Sequence, residues 1–526
     1  MRPAEPSTDP LTRGAGIMFR ARIHSATLED INKATVIPAA TTHHTSPAAE
    51  KVEGDAQLGT VEASRQSIDP NIVDWDGPDD PENPLNWSST RRILIIIFVS
   101  SYTFTSNLAA TIFAPGVKQM AYEFHITNTI VEYMIISIYV LGFALGPIIF
   151  GPLSELYGRL VIYYTCILVF LAFTAGCAFS TNVEMFLAFR FICGCAASGP
   201  MSIGGGTLAD IIPQEERGRA ISIFTLGPML GPILGPAIGG FVSQYATWRW
   251  TLRAGIISIG TFLFLKETYA PTILQNKEKR LRKKTGNPKF RPKVVKNGAP
   301  HQMILQAIIR PMKLLIFSPI VLLLALYAGL VYGFFFLLFA TFPLVFQNTY
   351  GFSSGTSGLA YLGLGVGMMI GLLVFSVVSD RVLVKKPGES MAKPEQRLIP
   401  MKWFGLATPI GCFIYGWAAH YHTHWTIPIL GTVIMGFSSL FIMTPAQIYC
   451  VDAFGPQAAA SALAANLLIR SPFGAFLDLA AGPLYGKLGL GWGNSVLGFI
   501  ILAFTPVPWL FYRYGEYLRT RFAVEL

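Results

Sequence analysis

The sequence predicts an all-α polytopic membrane protein of twelve transmembrane helices in two six-helix, pseudo-symmetric bundles, and three observations carry that prediction. Hydrophobic residues make up 52% of the 526 and charged residues only 13%, about half the charged share of a soluble domain. The apolar runs fall into two sets of six, divided by one strongly basic stretch. Within the first set, Gly227–Gly240 reads GPMLGPILGPAIGG, a pattern foreign to water-exposed helices, where each internal proline costs about 3 kcal/mol. In a bilayer, neighbouring helices can satisfy the carbonyls that proline frees. Glycines at i, i+4 (Gly227, Gly231, Gly235, Gly239, beside Gly240) leave a bare face for close backbone approach. That stripe is either generic small-residue packing or a seam along which helices move.

Taken in order, residues 1–90 read as a disordered cytoplasmic tail. Up to about Pro70 the chain is rich in Ala, Thr, Ser and Pro without periodicity, and no apolar run precedes a small-residue cleavage site. The turn-rich WDGPDDPENPLNW (Trp75–Trp87) is expected at the cytoplasmic surface, so the Asn86 sequon is expected to stay unglycosylated. Spanning runs follow at about 93–114, 129–150, 160–179, 183–205, 220–243 and 250–265, an N-terminal bundle over 91–265. Residues 266–313 form a basic cytoplasmic middle loop. Runs at about 314–341, 357–379, 401–420, 427–448, 458–481 and 491–512 make a C-terminal bundle over 314–512, and 513–526 is a cytoplasmic tail. Each crossing needs about 20 residues for roughly 30 Å of hydrocarbon. The sixth run has only about sixteen, roughly 24 Å of helix, with Arg253 inside it. It is either a strained helix that thins the bilayer or a segment missing a piece.

The net charge of +10 does not point to nucleic acid, because the basic residues crowd into loops beside apolar runs. LQNKEKRLRKKTGNPKFRPK, Arg217 with Arg219, the stretch Arg381 to Lys402, and Arg513 to Arg521 all fall on one side, which places both termini in the cytoplasm. Six cysteines sit in apolar stretches as small hydrophobes, without disulfide or zinc spacing. No metal site is expected: His420, His422 and His424 in YHTHW read as a solvated loop. GFSSG at 351–355 and GGGTLA at 204–209 lack strand–turn–helix context, and no phosphate-binding lysine loop supports ATP drive. The chain is not expected to be an enzyme or to carry a cofactor; a proton gradient is the expected energy source.

Two loops repeat a theme. The exit of the second span reads GPLSELYGR, with Gly151, Ser154, Glu155, Gly158 and Arg159, and the exit of the eighth reads Ser376-Val-Val-Ser379-Asp380-Arg381. Duplicated bundles place a substrate site between the halves near the midplane, with alternating access by rocking. Glu155 and Arg159, spaced i, i+4, either pair locally, latch onto a neighbouring helix end, or belong to a solvated turn.

The Gly151–Arg159 stretch resembles motif A of the major facilitator superfamily, and Arg190 in FRFICGCAASGP resembles its motif B. The glycine–proline helix, with Pro232 and Pro236 among its prolines, resembles motif C of drug:proton antiporters of the twelve-spanner branch. DDPENPLNW, LADIIPQEERGRA, WRW, KETYAP with RLRKKTGN, and VDAFGPQAAASALAANLLIR with YRYGEYLR look like fungal multidrug and polyamine-type members, so the resemblance covers about Trp75 to Leu526. It implies the major facilitator fold and ties the motif B arginine to proton coupling. The family's sixth segment is several residues longer.

A charged group inside a span is costly and marks a candidate functional residue. Glu132 is nearest to Arg190 in depth, so a Glu132/Arg190 pair either couples protonation to release of the arginine or is purely structural. Asn107, Tyr139, Tyr332, Asn466 and Arg470 are the substrate-cavity candidates. Asp478 stands at an apolar position of the family pattern and is either substrate-specific or, as is expected here, wetted near the outer surface. Few acidic groups against Arg190, Arg253 and Arg470 tilt the substrate towards neutral, aromatic or weakly anionic compounds rather than polyamines. The expected function is a proton-coupled antiporter exporting a toxin, drug or secondary metabolite from the plasma membrane. It would meet small-molecule substrate, protons and lipid as a monomer, without nucleic acid. The rivals are a proton-coupled importer of polyamine or another nutrient on the same fold, and a transport-inactive sensor or scaffold.

Overall fold

The computed structural model describes residues 71–213, 217–253, 266–293, 300–382, 393–522 and 524. The tail up to Pro70 and residues 254–265 of the short sixth run lie outside the described residues. The first half contains α1 (Ser89–Thr111), α2 (Val117–Glu123), α3 (Thr129–Tyr157), α4 (Arg159–Ala178), α5 (Val183–Ala197), α6 (Gly199–Ile211), α7 (Arg217–Tyr245) and α8 (Trp248–Arg253). Then come α9 (Ala270–Thr285) and α10 (Pro300–Phe317). The second half contains α11 (Pro319–Tyr350), α12 (Ser354–Leu359), α13 (Tyr361–Val382), α14 (Ile399–Phe404), α15 (Ala407–His420), α16 (Thr426–Phe504) and α17 (Val507–Arg521).

Among the described residues, 10 segments are long and apolar enough to cross a membrane, and the last, Ser461–Arg521, has 61 residues, enough for two crossings. The helical run α16 is not one rod. Gly489 has φ +69°, and the Tyr485 hydroxyl donates to Asn494 Oδ1 at 3.0 Å, whereas nine residues of straight helix would separate them by roughly 13 Å. The chain doubles back there.

Local chemistry sets the helix ends. Ser88, Asn128 and Asn182 cap α1, α3 and α5, each side chain accepting a first-turn amide. Gly158, at φ +99°, separates α3 from α4 in a single residue, a backbone angle that only glycine adopts without strain.

The glycine–proline run is a continuous helix with Pro228, Pro232 and Pro236 inside it. Pro236 has no N–H to give the Pro232 carbonyl four residues back. The Thr111 hydroxyl of α1 donates to that carbonyl instead, at 3.1 Å, so a neighbouring helix restores the bond that the prolines delete. Gly227, Gly231 and Gly235 face α1 so closely that a Cβ would lie 2.6 Å from the Ser100 carbonyl, 2.8 Å from the Phe104 carbonyl and 2.6 Å from Thr111 Oγ1. A Cβ at Gly239 would collide with the Ile112 carbonyl. Gly240 turns to the other half, where a Cβ would meet the Ser354 carbonyl at 2.5 Å.

Two expectations about the loops are corrected. Residues 71–90 are not wholly a disordered tail, because the part from Asn71 onward is folded against the middle segment. Strand β1 (Ile72–Val73) pairs in parallel with β2 (Arg291–Pro292). The buried Asp80 carboxylate accepts the amides of Asp76 and Glu82, each at 2.8 Å, and Lys277 Nζ at 3.2 Å. Asp74 meets Lys293 at 2.6 Å, and Glu82 meets Arg280 at 2.7 Å. Burial opposes ionisation of Asp80, but the two amides and the Lys277 ammonium outweigh it and hold the carboxyl below its ordinary range. Burial likewise opposes the Lys277 charge, and Asp76 and Asp80 overcome it and push the ammonium upward. Second, residues 266–313 are not a plain loop: they hold α9, β2 and most of α10. The acidic run before α1 and the basic face of α9 satisfy each other, which neither can do alone. The second half begins at α11, after Ser318, while Leu314 and Leu315 of α10 already share a buried cluster with Val321, Ala325, Cys450 and Ala462.

Candidate functional site

The two halves meet along two seams. In one, α7 lies on α12 and α13: a Cβ at Gly365 would touch Ile233, Gly358 approaches the Pro236 carbonyl, and Gln244 Oε1 accepts from the Gly355 amide at 2.9 Å. In the other, α3 runs against α16, with Tyr133 beside Gly482, Ser137 beside Asp478 and Val140 beside Gly474. Gly474 also admits the ring of Tyr332 from α11, so elements of both halves converge there.

Asp478 is not wetted but wholly buried. Its Oδ2 lies 2.6 Å from Ser137 Oγ across the seam, while Oδ1 has no partner. Among the described residues no cation pairs with it. The Ser137 hydroxyl is also 3.0 Å from the Tyr133 carbonyl and has one proton for the two acceptors. A protonated Asp478 removes that conflict.

One turn from Gly474 towards the N-terminal end of this span lies Arg470, and one further turn on the same face lies Asn466. Two arginines deep in the spans, one in each half, lie buried over tyrosine rings. Arg190 of α5 stands 4.5 Å from Tyr139 of α3, and Arg470 of α16 stands 4.5 Å from Tyr332 of α11. Their polar partners differ. Arg190 also lies over Phe113, and its Nη atoms donate to the Ala109 carbonyl at 3.0 and 3.1 Å and to that of Ala110 at 3.5 Å. Carbonyls at a helix C-terminus lack intrahelical donors and sit at the negative end of the dipole. Tyr139 donates to the Ser106 carbonyl at 2.7 Å, so the α3–α5 pair grips the end of α1. Arg190 makes no ion pair with Glu132. That carboxylate is half-buried in the first turn of α3, and backbone carbonyls take the place proposed for it. The Nε of each arginine is orphaned, but Arg470, at 7% exposure, also has no hydrogen bond or ion pair from its Nη atoms among the described residues, and Asn466 Nδ2 is orphaned one turn away. Asn107 donates back to Thr103 at 2.8 Å and its Cβ lies against Gly231 in the α1–α7 seam.

At the end of the bundle where residues 71–88 lie, here called the terminal side, Arg159 is the hub. Its Nη1 donates to Ser154 Oγ at 2.6 Å, and that hydroxyl donates to the Gly151 carbonyl at 2.7 Å. Its Nε reaches Asp210 at the end of α6 at 3.2 Å. Gly206 leaves space for the guanidinium, since a Cβ there would lie 2.7 Å from it. Glu155 is exposed and is not the partner of Arg159. Glu267 caps α4, accepting the amides of Arg159 at 3.0 Å and Leu160 at 3.2 Å, and a Cβ at Gly158 would run into it. The second half repeats this clasp: Arg397 pairs with Asp452 at 2.8 Å and donates to Ser379 at 3.4 Å. The side chains of Asp380 and Arg381 lie outside the described residues. Sequence reasoning missed Asp210, Glu267, Arg397 and Asp452. Asp210 and Asp452, each at the end of the fourth helix of its half and shortly before a proline, were the available signal.

Comparison with known proteins adds the following. A family model described as Major Facilitator Superfamily matches residues 99–477. The MFS transporter fsa7 of Fusarium sp. (strain FN080326) is 64% identical over 466 residues, 88% of this chain and 92% of its own. The Trichosetin biosynthesis cluster MFS transporter of Gibberella fujikuroi is 56% identical over 491 residues, 91% of this chain and 96% of its own. A solved structure of a D-xylose-proton symporter aligns with a TM-score of 0.60 at 15% identity, covering 80% of this chain and 98% of its own, a likeness of fold.

Proposed function

The chain belongs to the major facilitator superfamily and is a membrane transporter, and from that premise we propose that it exports a small organic compound, a secondary metabolite, in exchange for protons by alternating access. The observation that carries the coupling is Asp478, a cation-free carboxyl bridged to Ser137 across the seam between the halves. An unpaired carboxylate in a dry seam is costly, so the closed seam suits the neutral acid. Parting α3 from α16 hydrates the carboxyl and lets its proton leave, which links proton occupancy to the state of the bundle. Arg190 serves the cycle by holding the end of α1 to α5 while the seam opens. Export as the direction rests on the glycine–proline helix and its likeness to antiporter motif C. The cargo class rests on relatives such as the one named for a trichosetin biosynthesis cluster. The plasma membrane with both termini inside is the setting that the basic loops favour.

The test uses inside-out vesicles from yeast expressing the full chain, acidified by the resident proton pump, with fungal metabolites added singly while lumenal pH is followed. A transported compound releases protons from the vesicles, and Asp478→Asn abolishes the release although the variant reaches the membrane. Uptake into vesicles that continues at full rate with the gradient collapsed, or unchanged coupling in Asp478→Asn, defeats the reading.

A further inference from the structure

We propose that Arg470, with Asn466 and Tyr332, is the recognition site for an acidic group on the substrate, a carboxylate carried on an apolar body. The inference rests on the transport reading above and names the cargo chemistry at its central site.

The two arginines differ in what their guanidinium groups meet. Both are buried and both lie 4.5 Å over a tyrosine ring, but only Arg190 has acceptors, the Ala109 and Ala110 carbonyls. Burying a cation without acceptors is costly, and a ring face supplies only part of what water supplied. A chain retains such a group where a ligand completes it. The anion would gain a planar fork of donors from Arg470, suited to bidentate recognition of a carboxylate. The Asn466 amide adds a donor on the same face, with its Nδ2 unpartnered.

Position and charge agree with this. The close approaches of α3 to α16 run from Gly482 through Asp478 to Gly474, and Arg470 follows one turn later, beyond the last of them. Val140 and Tyr332 meet Gly474 beside it, and Phe336 lies 5.0 Å from the Tyr332 ring, an apolar and aromatic wall for the body of the ligand. Asp478, two turns away, is the nearest carboxyl on this face and is engaged with Ser137. A cationic cargo such as a polyamine would find Arg470 against it.

The test is equilibrium binding to the purified full chain in lipid nanodiscs at pH 7 with no gradient, by calorimetry. Three acids are paired with their amides: benzoate with benzamide, 1-naphthoate with 1-naphthamide, and decanoate with decanamide. At least one acid is expected to bind about tenfold more tightly than its amide. Arg470→Gln should erase that preference while leaving amide binding intact, and Arg470→Lys, a charge without the fork, should restore part of it. Retained amide binding shows that the Gln variant is folded; if it is not, Asn466→Ala, which keeps the charge, is expected to reduce the preference about threefold. The proposal is overturned if no acid exceeds its amide, if the preference survives in Arg470→Gln, or if chloride or phosphate alone competes as strongly as the acids, which would make this an inorganic ion site. Binding of acids without coupled proton movement in vesicles would sink the exporter reading alone. Proton-coupled movement of neutral compounds by a chain indifferent to acids would sink the present one alone.

Discussion

Removing the Thr111 hydroxyl tests whether α1 supplies the bond that the prolines of α7 delete. The Pro232 carbonyl has lost its intrahelical donor to Pro236 and is served by Thr111 Oγ1 at 3.1 Å. Thr111→Val keeps the branched shape and removes the donor, leaving that carbonyl without its partner. Orphaning a buried acceptor costs about 1–3 kcal/mol in water-soluble proteins, and hydrogen bonds between membrane helices average about 0.6 kcal/mol. The expected loss is therefore about 1 kcal/mol. In a Pro236→Ala background the residue at 236 regains an N–H for the same carbonyl, and Thr111→Val should then cost under about 0.3 kcal/mol, a coupling of roughly 0.7 kcal/mol or more. The assay is reversible unfolding in mixed micelles followed by tryptophan fluorescence, with Thr111→Ser as the variant that retains the donor. Equal cost of Thr111→Val with and without Pro236 refutes the reasoning.

Three further outcomes follow from the geometry. Glu267→Ala strips the acceptor from two first-turn amides of α4 and should lower stability by about 0.5–2 kcal/mol in the same unfolding assay; Glu267→Gln should recover part. Arg397→Ala breaks the second clasp and Arg159→Ala the first, and each should impair transport in vesicles; full activity in either would remove the clasps from the mechanism. The contact of residues 71–88 with α9 has a defined pH window. The depressed Asp80 carboxyl contributes at pH above its ordinary value of 3.8 and is lost as pH falls through the lowered one, while the raised Lys277 contributes below its ordinary 10.5 and is lost above the raised value. Hydrogen exchange at Asp76 and Glu82 should therefore be flat from about pH 5 to 9, after correction for intrinsic rates, and lose protection only in stronger acid. A transition near pH 6 would contradict the assignment.

The spans were legible because their apolar runs exceed what a bilayer needs, and the glycine–proline helix because its glycines repeat at the period of one face. What sequence could not supply was the partner of each charged group. Arg190 donates to backbone carbonyls, which any residue type presents, so nothing in the letters at 109 and 110 announces an acceptor. Glu132 matched it in depth, yet the neighbouring Tyr133 occupies the face turned to α16. Arg159 finds Asp210 51 positions away, across a helix pair, while the adjacent Glu155 offered a plausible local pair. Asp478 reads in the sequence as wetted near the outer surface because nothing in the letters shows that Ser137 of α3 lies against it; that contact across the seam buries it between the halves. The acidic run before α1 and the basic α9 were each legible as charge, but their mutual neutralisation depends on folding that joins Asp80 to Lys277.

The pairing of β1 with β2 also sets a leash. Pro292 is held, through β1 and α9, to the first half, and Leu314 is embedded in the second. Between Pro292 and Leu314 the tether is the link to Pro300, at most roughly 27 Å when fully extended, and fourteen residues of α10, roughly 21 Å of helix. The gape on the terminal side is therefore bounded by covalent length as well as by packing. Removing three or four residues from this link would shorten the stroke without touching any residue that meets cargo, and lengthening it would leave the stroke to be limited by the helices alone.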